Sequence, residues 1–334
     1  MKVLIAMSGG VDSTAAALKL MEQGYTLIGC TFVTRYTSSA SVEAAQALAA
    51  QLGIEHHVVD YSDMFESTIV NYFINEYKAC RTPNPCVLCN REIKFGVLIQ
   101  EANRLGCDFI ATGHYARIVS HSFSDATVHK FIACASDLSK DQSYFLWQVN
   151  PEVLERVLFP LGEMTKTEVR EYLASKGYEV LSKQGESQDI CFIADDYRTF
   201  LRKRLRDEYK EYMSFTIGQR KGLGIALGYP AFVTSIGSRG VGIEHPQVPE
   251  VYLGHHDDLY ATEVQLRDVI FRGDPTCPVM AKIRYRSAAV EATLNYSPQG
   301  ATTLNFKDRI WAPTPGQSCV LYQSDFVVGG GIIC

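Results

Sequence analysis

Six residues near the N-terminus, Ser8-Gly9-Gly10-Val11-Asp12-Ser13, constrain the fold of this chain more than any other feature. They follow Lys2 to Met7, an apolar run of one strand's length. They lead into Asp12 to Gln23, a mostly apolar helical stretch with Ala15, Ala16, Ala17, Leu18, Leu20 and Met21 that Gly24 can end in the left-handed conformation. A strand that turns through two glycines straight into a helix brings backbone N–H groups and the positive end of the helix dipole to one point, and that point suits an anion. Gly9 and Gly10 allow a phosphate to approach the backbone, and Ser8 and Ser13 add hydroxyl donors. No G-x-x-x-x-G-K-[ST] occurs in the chain, and G-x-G-x-x-G is missing at this turn. The loop carries Asp12 and no lysine. An acid beside phosphates makes sense with Mg²⁺ between them, as when pyrophosphate is the leaving group.

The next hundred residues repeat the alternation. Tyr25 to Thr31 reads as a strand, Ser41 to Leu52 as an Ala-rich helix stopped by Gly53, and His56 to Val59 as a third strand. Phe65 to Tyr77 and Ile93 to Leu105 read as helices, the second ended by Gly106, and Phe109 to Thr112 as a strand. That pattern is α/β, a doubly wound parallel sheet. Thr165-Lys166-Thr167-Glu168 has capping-box spacing and predicts a helix through Val169, Tyr172 and Leu173 with Gly177 as its stop. After Asp196 the texture changes to basic Arg198 to Arg206 and Gly-rich Gly218 to Gly228. Six short alternating runs then follow: Val264 to Phe271, Met280 to Arg286, Val290 to Tyr296, Thr302 to Phe306, Ser318 to Tyr322 and Phe326 to Ile333. They predict a small antiparallel β-barrel. A chain of 334 residues has room for two or three domains. The expected division is a catalytic domain over 1–197, a small central domain over 198–254 and the barrel over 255–334.

With 32 Lys and Arg against 37 Asp and Glu, the net charge of −5 argues against a protein that coats nucleic acid indiscriminately. A local basic patch on an acidic whole remains compatible with selective binding. No apolar run of about 18 residues occurs, and the apolar start is too short for a signal peptide, so a cytoplasmic protein without a membrane partner is expected. Its ten cysteines are then expected as thiols. Cys86 and Cys89 form a C-x-x-C just before a helix, a setting that can lower a thiol pKa or hold a metal. No second C-x-x-C completes a zinc ribbon, and His56-His57 and His255-His256 lack supporting ligands. Cys191 stands in a short apolar segment after a polar loop. The remaining cysteines are read as bystanders.

The glycine loop resembles the PP-loop of ATP pyrophosphatases, which activate a substrate oxygen by AMP transfer and replace it with nitrogen or sulfur. Several further stretches lie in collinear order: Asn84 to Phe95 (N-P-C-V-L-C-N-R-E-I-K-F), Ala111 to Tyr115, Lys140 to Leu146, Ile190-Cys191-Phe192-Ile193, Gly218 to Gly224, Pro315-Gly316-Gln317 and Gly329 to Ile333. Together they resemble the tRNA-specific 2-thiouridylases. The resemblance implies thiolation of the wobble uridine of tRNAs for Lys, Glu and Gln. It implies an ATP and Mg²⁺ site at Ala6, Met7, Ser8, Gly9, Gly10, Val11, Asp12 and Ser13, with Phe32 and Gly113 beside the adenosine. It implies tRNA contacts at Asn84, Pro85, Cys86, His114, Lys140, Asp141, Gln142, Arg284, Tyr285 and Gln317; Lys140 and Arg284 suit phosphates, and Tyr285 suits stacking on an unpaired base. In the family's chemistry Cys191 carries a persulfide and Cys89 attacks it, leaving a Cys89/Cys191 disulfide, with a cysteine desulfurase or sulfur-relay protein as donor.

Two departures from the family leave alternatives open. Cys86 stands where the family usually has Asp, so Cys86, Cys89 and Cys191 together form a candidate ligand set for a [4Fe-4S] cluster with an open iron for sulfide. The chain also lacks most of a segment usually found between Leu205 and Phe215, which trims the central domain. The rival functions are a PP-loop amidating ligase on another acceptor and a non-catalytic binder of tRNA or nucleotide.

Overall fold

A computed structural model describes residues 1–123, 127–185, 190–237, 249–295 and 302–334. Ser187, Gln188 and Asp189 of the loop before Cys191, and Tyr296 at the end of one expected strand, lie outside the described residues. The chain forms two compact units. The first comprises Met1–Ile69, Cys86–Phe192 and Ser324–Val328; the second comprises Val70–Pro85, Ile193–Gln323 and Gly329–Cys334.

The first unit is built on a parallel sheet of β1 (Lys2–Ala6), β2 (Thr26–Val33), β3 (Glu55–Asp60), β4 (Phe109–Ala111) and β5 (Val157–Leu158), in the order β3-β2-β1-β4-β5. The central strand is the most apolar: Val3, Leu4 and Ile5 of β1 are fully buried. Helix α1 (Val11–Glu22) packs Ala15, Ala16 and Leu20 into the same core as Val3, Ile5, Leu161 and Leu173. Helix α2 (Ser39–Leu52) is capped by Ser38, which accepts from the Ser41 amide, and is closed by Gly53 at φ 68°. Because β1 pairs in parallel with β4, Ile5 opposite Ala111, the chain leaves both strands at one sheet edge. That register places Ser8 to Ser13 and Thr112 to His114 side by side.

Two expected helices are broken. Phe65 to Tyr77 runs as Ser62–Phe65, a π-helical turn over Glu66–Val70, and Asn71–Lys78. Ile93 to Leu105 is preceded by one turn over Pro85–Cys89 and begins inside a π turn, Asn90–Phe95, before α3 (Gly96–Arg104). Wide turns of this kind cluster at functional sites. Gly96 permits this one, since a Cβ there would sit 2.8 Å from the Arg91 carbonyl oxygen. The capping-box helix appears as expected as α4 (Lys166–Ser175), with Thr165 and Glu168 bonded reciprocally. A hairpin, Arg117–Ser122 with Val128–Ala133, was not anticipated.

A closed antiparallel barrel is formed by β6 (Tyr260–Phe271), β7 (Val279–Lys282), β8 (Val290–Asn295), β9 (Thr302–Trp311), β10 (Ser318–Gln323) and β11 (Phe326–Ile333). The order is β6-β9-β8-β7-β10-β11, and pairing of β11 with β6 closes it. Gly329 allows that closure, because a Cβ at 329 would lie 2.0 Å from the Ile270 carbonyl oxygen. The expected strand Met280 to Arg286 stops at Lys282. Arg284 to Ser287 is a turn, with the Ser287 amide bonded to the Arg284 carbonyl at 3.1 Å. The segment between the helical part and the barrel holds a further strand pair, Phe232–Gly237 with Glu250–Gly254. Among the described residues no helix is long and apolar enough to cross a membrane.

Candidate active site

The glycine loop is organised from within. Ser13 Oγ accepts from the Ser8 amide at 3.2 Å, lies 3.3 Å from Ser8 Oγ and donates to the Gly10 carbonyl at 3.2 Å. The Met7 carbonyl accepts from Thr31 Oγ1 at 2.7 Å, and the Met7 amide bonds Cys30 of β2 at 2.8 Å. Gly9 has φ +73°, and a Cβ there would lie 2.9 Å from the Ala45 nitrogen of α2. Gly10 caps α1 with no side chain, so the amides of its first turn are left for another acceptor. Ala6 is half-buried, and Met7 and Val11 are buried beneath the loop. Phe32 packs edge-on to Tyr61 with ring centroids 5.5 Å apart. Gly113 lies hard against α1: its Cβ would be 2.9 Å from the Asp12 carbonyl carbon.

Asp12 has partners that the sequence reading did not supply. Its Oδ1 accepts from Lys166 Nζ at 2.7 Å and from the Tyr115 hydroxyl at 2.8 Å, and its Oδ2 from Lys166 Nζ at 2.9 Å. Lys166 is the first residue of α4. The signal that locates it is the capping box, which fixes where that helix starts.

Cys86 and Cys89 share the turn Pro85–Cys89; Cys86 is half-buried and Cys89 buried. Burial pushes the Cys89 thiol up to about 12, the Lys94 ammonium draws it down, and Cys191 and Cys86 each raise it further. The Cys191 thiol is also raised, mainly by desolvation, with Lys94 and the amides of Cys191 and Phe192 opposing. Cys191 is nonetheless the exposed thiol of the three. Its neighbour Phe192 is anchored, 5.8 Å from the Tyr36 ring and 5.7 Å from that of Phe65 by centroids. The fold thus brings Cys86, Cys89, Cys191 and Lys94 within electrostatic range. Among the described residues no three Cys, His, Asp or Glu side chains are grouped to hold a metal ion.

Of the residues expected to meet RNA, Pro85, His114 and Asp141 are buried and the others are half-buried. His114 is buried, its Nδ1 2.7 Å from Thr112 Oγ1, between the rings of Phe95 and Phe159. Burial first, and the Lys94 charge second, hold it well below the ordinary histidine range. Asp141 is buried and accepts from the amides of Ala135 and Ser143 and from Ser143 Oγ. Gln142 clamps Tyr115: its Oε1 accepts the Tyr115 amide at 2.9 Å and its own amide bonds the Tyr115 carbonyl at 2.8 Å. Lys140, half-buried, bonds the Asp137 carbonyl through its amide at 3.0 Å.

In the second unit, Arg284 Nη2 donates to the carbonyls of Ile217 at 3.0 Å and Ala312 at 2.8 Å, and to Thr314 Oγ1. Tyr285 is half-buried with Lys282 Nζ 5.9 Å from its ring centre. Gln317 Nε2 holds the carbonyls of Thr82 and Pro83 at 2.9 and 3.2 Å, just ahead of half-buried Asn84 and buried Pro85.

Comparison with known proteins matches two family descriptions: a tRNA methyl transferase HUP domain over residues 1–195 and an aminomethyltransferase beta-barrel domain over residues 262–333. The tRNA-specific 2-thiouridylase MnmA 3 of Bacteroides fragilis is 43% identical over 99% of this chain and 94% of its own. The tRNA-specific 2-thiouridylase MnmA of Syntrophomonas wolfei is 39% identical over the whole of both chains. Among solved structures, a 4-thiouridine synthetase in complex with RNA and ATP shares 21% identity at a TM-score of 0.40, over 57% of this chain and 44% of that one.

Proposed function

The chain belongs to the tRNA-specific 2-thiouridylase family, and from that premise we propose that it is an ATP-dependent tRNA sulfurtransferase. It places AMP on O2 of the wobble uridine of the tRNAs for Lys, Glu and Gln, and then replaces that oxygen with sulfur. The loop Ala6 to Ser13, with Phe32 and Gly113, holds ATP. Mg²⁺ enters with ATP as substrate, and the half-exposed Asp12 carboxylate at the start of α1 is the group suited to it. Amides at a helix N-terminus stabilise charge that develops on the departing pyrophosphate.

For sulfur, Cys191 carries the persulfide, since it is exposed to a donor, and Cys89 attacks the inner sulfur. The Cys89–Cys191 bond forms, the persulfide bond breaks and hydrosulfide leaves with the electron pair. Hydrosulfide adds to C2, AMP departs with the oxygen, and an external thiol restores the dithiol. A cysteine desulfurase or sulfur-relay protein supplies the persulfide sulfur. The route is supported by the placement of buried Cys89 in the turn Pro85–Cys89, by the exposure of Cys191, and by Lys94, whose charge draws both thiols down against the desolvation that raises them. His114, Lys140, Asp141, Gln142, Arg284, Tyr285 and Gln317 are assigned to the tRNA face, several of them by shaping the backbone that RNA would meet. The trimmed region over 198–254, with the basic helix Tyr197–Leu205, is assigned to tRNA contact as well.

The test is nucleoside mass spectrometry on unmodified glutamate tRNA after anaerobic incubation with the protein, ATP, Mg²⁺ and a sulfide source. The expected product is 2-thiouridine with AMP and pyrophosphate. ATP cleavage without 2-thiouridine would indicate another acceptor, as for an amidating ligase. Binding of tRNA without ATP cleavage would indicate a non-catalytic protein.

A further inference from the structure

Lys166 stands where its own helix does not favour it. It occupies the first position of α4, and a cation at a helix N-terminus opposes the macrodipole. Three restraints hold it there all the same. Thr165 and Glu168 close the capping box, the Lys166 amide bonds Asp137 Oδ2 at 3.0 Å, and the ammonium reaches across to both Asp12 oxygens at 2.7 and 2.9 Å. The ammonium is largely withdrawn from water, its side chain 13% exposed, while Asp12 is 37% exposed. The Tyr115 ring lies beside it, 5.5 Å from Nζ to the centroid, and the Tyr115 hydroxyl holds Asp12 from the other side. A desolvated cation is therefore paired with the carboxylate of Asp12 in the first turn of α1. An ammonium has three N–H donors, and the carboxylate accounts for two.

We propose that Lys166 is a catalytic residue of the adenylation step: it donates to the phosphate oxygens that leave as pyrophosphate. This rests on the ATP chemistry proposed above. In that step the bond from uridine O2 to the α-phosphorus forms and the bond from that phosphorus to the bridging oxygen breaks. Pyrophosphate takes the electron pair, and the uridine N3 proton passes to water. Negative charge grows on the leaving group, and a preorganised cation in a water-poor site stabilises it more than it stabilises bound ATP. The pairing with Asp12 gives the same lysine a second effect, since it fixes the direction of the carboxylate suited to Mg²⁺.

The experiment compares wild type, Lys166→Met and Lys166→Arg for binding of AMP, ATP and inorganic pyrophosphate without Mg²⁺ or tRNA, and for ATP cleavage with both. Loss of one such donor lowers the cleavage rate about 100-fold or more. ATP and pyrophosphate binding to Lys166→Met should weaken about tenfold, the worth of a charged hydrogen bond. AMP binding should stay within about twofold, because AMP lacks the leaving phosphates, and Lys166→Arg should recover part of the pyrophosphate affinity. Equal losses for AMP and ATP, or none, would overturn the assignment. If Lys166→Met fails to fold, amine labelling of the wild type decides: protection of Lys166 by pyrophosphate but not by AMP is expected, and equal labelling in both refutes it. The binding series uses no tRNA, so it succeeds or fails independently of whether uridine is the acceptor.

Discussion

Gly113→Ala should impair ATP cleavage more than its effect on stability explains. A Cβ at 113 would lie 2.9 Å from the Asp12 carbonyl carbon, 3.0 Å from its Cβ and 3.0 Å from its carbonyl oxygen, whereas ordinary contact begins at 3.4 Å. Up to about 0.5 Å of displacement must be found by one side or the other. Neither side yields easily: Ile110 and Ala111 are fully buried, and α1 is packed through Thr14, Ala15, Ala16 and Ala17. Overpacking of this kind costs roughly 1–3 kcal/mol. For a domain of this size that lowers Tm by roughly 2–12 °C. The displaced residue is Asp12, and since misplacement on the order of 1 Å costs about 100-fold in rate, half of that should cost about tenfold. Gly106→Ala is the control. Its φ is +64° and nothing lies within 4 Å of its Cβ, so it should lose about 1–2 kcal/mol from backbone strain alone and keep its activity. Thermal melts and release of AMP and pyrophosphate measure both quantities. A Gly113→Ala protein that melts and cleaves ATP like wild type would refute the close-approach argument, and equal activity loss in Gly106→Ala would reduce it to general destabilisation.

Cys191→Ser should yield no 2-thiouridine while ATP is still cleaved; full thiolation would remove Cys191 from the persulfide role. Because the Cys89 thiol is raised to about 12, its thiolate is a minority at neutral pH. Sulfide release from persulfide-loaded enzyme in a single turnover should therefore rise about tenfold per pH unit from pH 7 to 9, and a flat profile would exclude Cys89 as the attacking thiol. Gln142→Ala removes the clamp on the Tyr115 amide and should raise KM for ATP more than KM for tRNA; the reverse order would make Gln142 a direct RNA contact.

The strand–glycine–helix element was legible because short-range rules decide it: an apolar strand, two glycines and an Ala-rich helix leave one arrangement, and the parallel sheet follows from its repetition. The barrel strands were legible by alternation, with the error where a side chain overrules pattern. Ile283 and Tyr285 alternate with Arg284 and Arg286 like a strand, but the Arg284 guanidinium is drawn to the carbonyls of Ile217 and Ala312 and the chain turns there. The π turns at Glu66–Val70 and Asn90–Phe95 were not legible, since one added residue per turn barely alters helical periodicity. Lys166 was missed for another reason. It lies 154 residues from Asp12, and in a capping box it reads as a solvated lysine until the sheet order is known.

The inward residues change how the family motifs are to be read physically. Polar side chains in a sequence motif invite assignment to a ligand, yet Asp141 satisfies the amides of Ala135 and Ser143, and Gln142 fixes both backbone groups of Tyr115. Burying such groups costs free energy unless each is paired, so what they specify is backbone position. Tyr115 then delivers its hydroxyl to Asp12. The order of dependence runs from Gln142 to Tyr115 to Asp12, within one compact unit and ending at the glycine loop. Substituting a buried member of that series should show first as a fault in ATP handling, however close to RNA the segment lies.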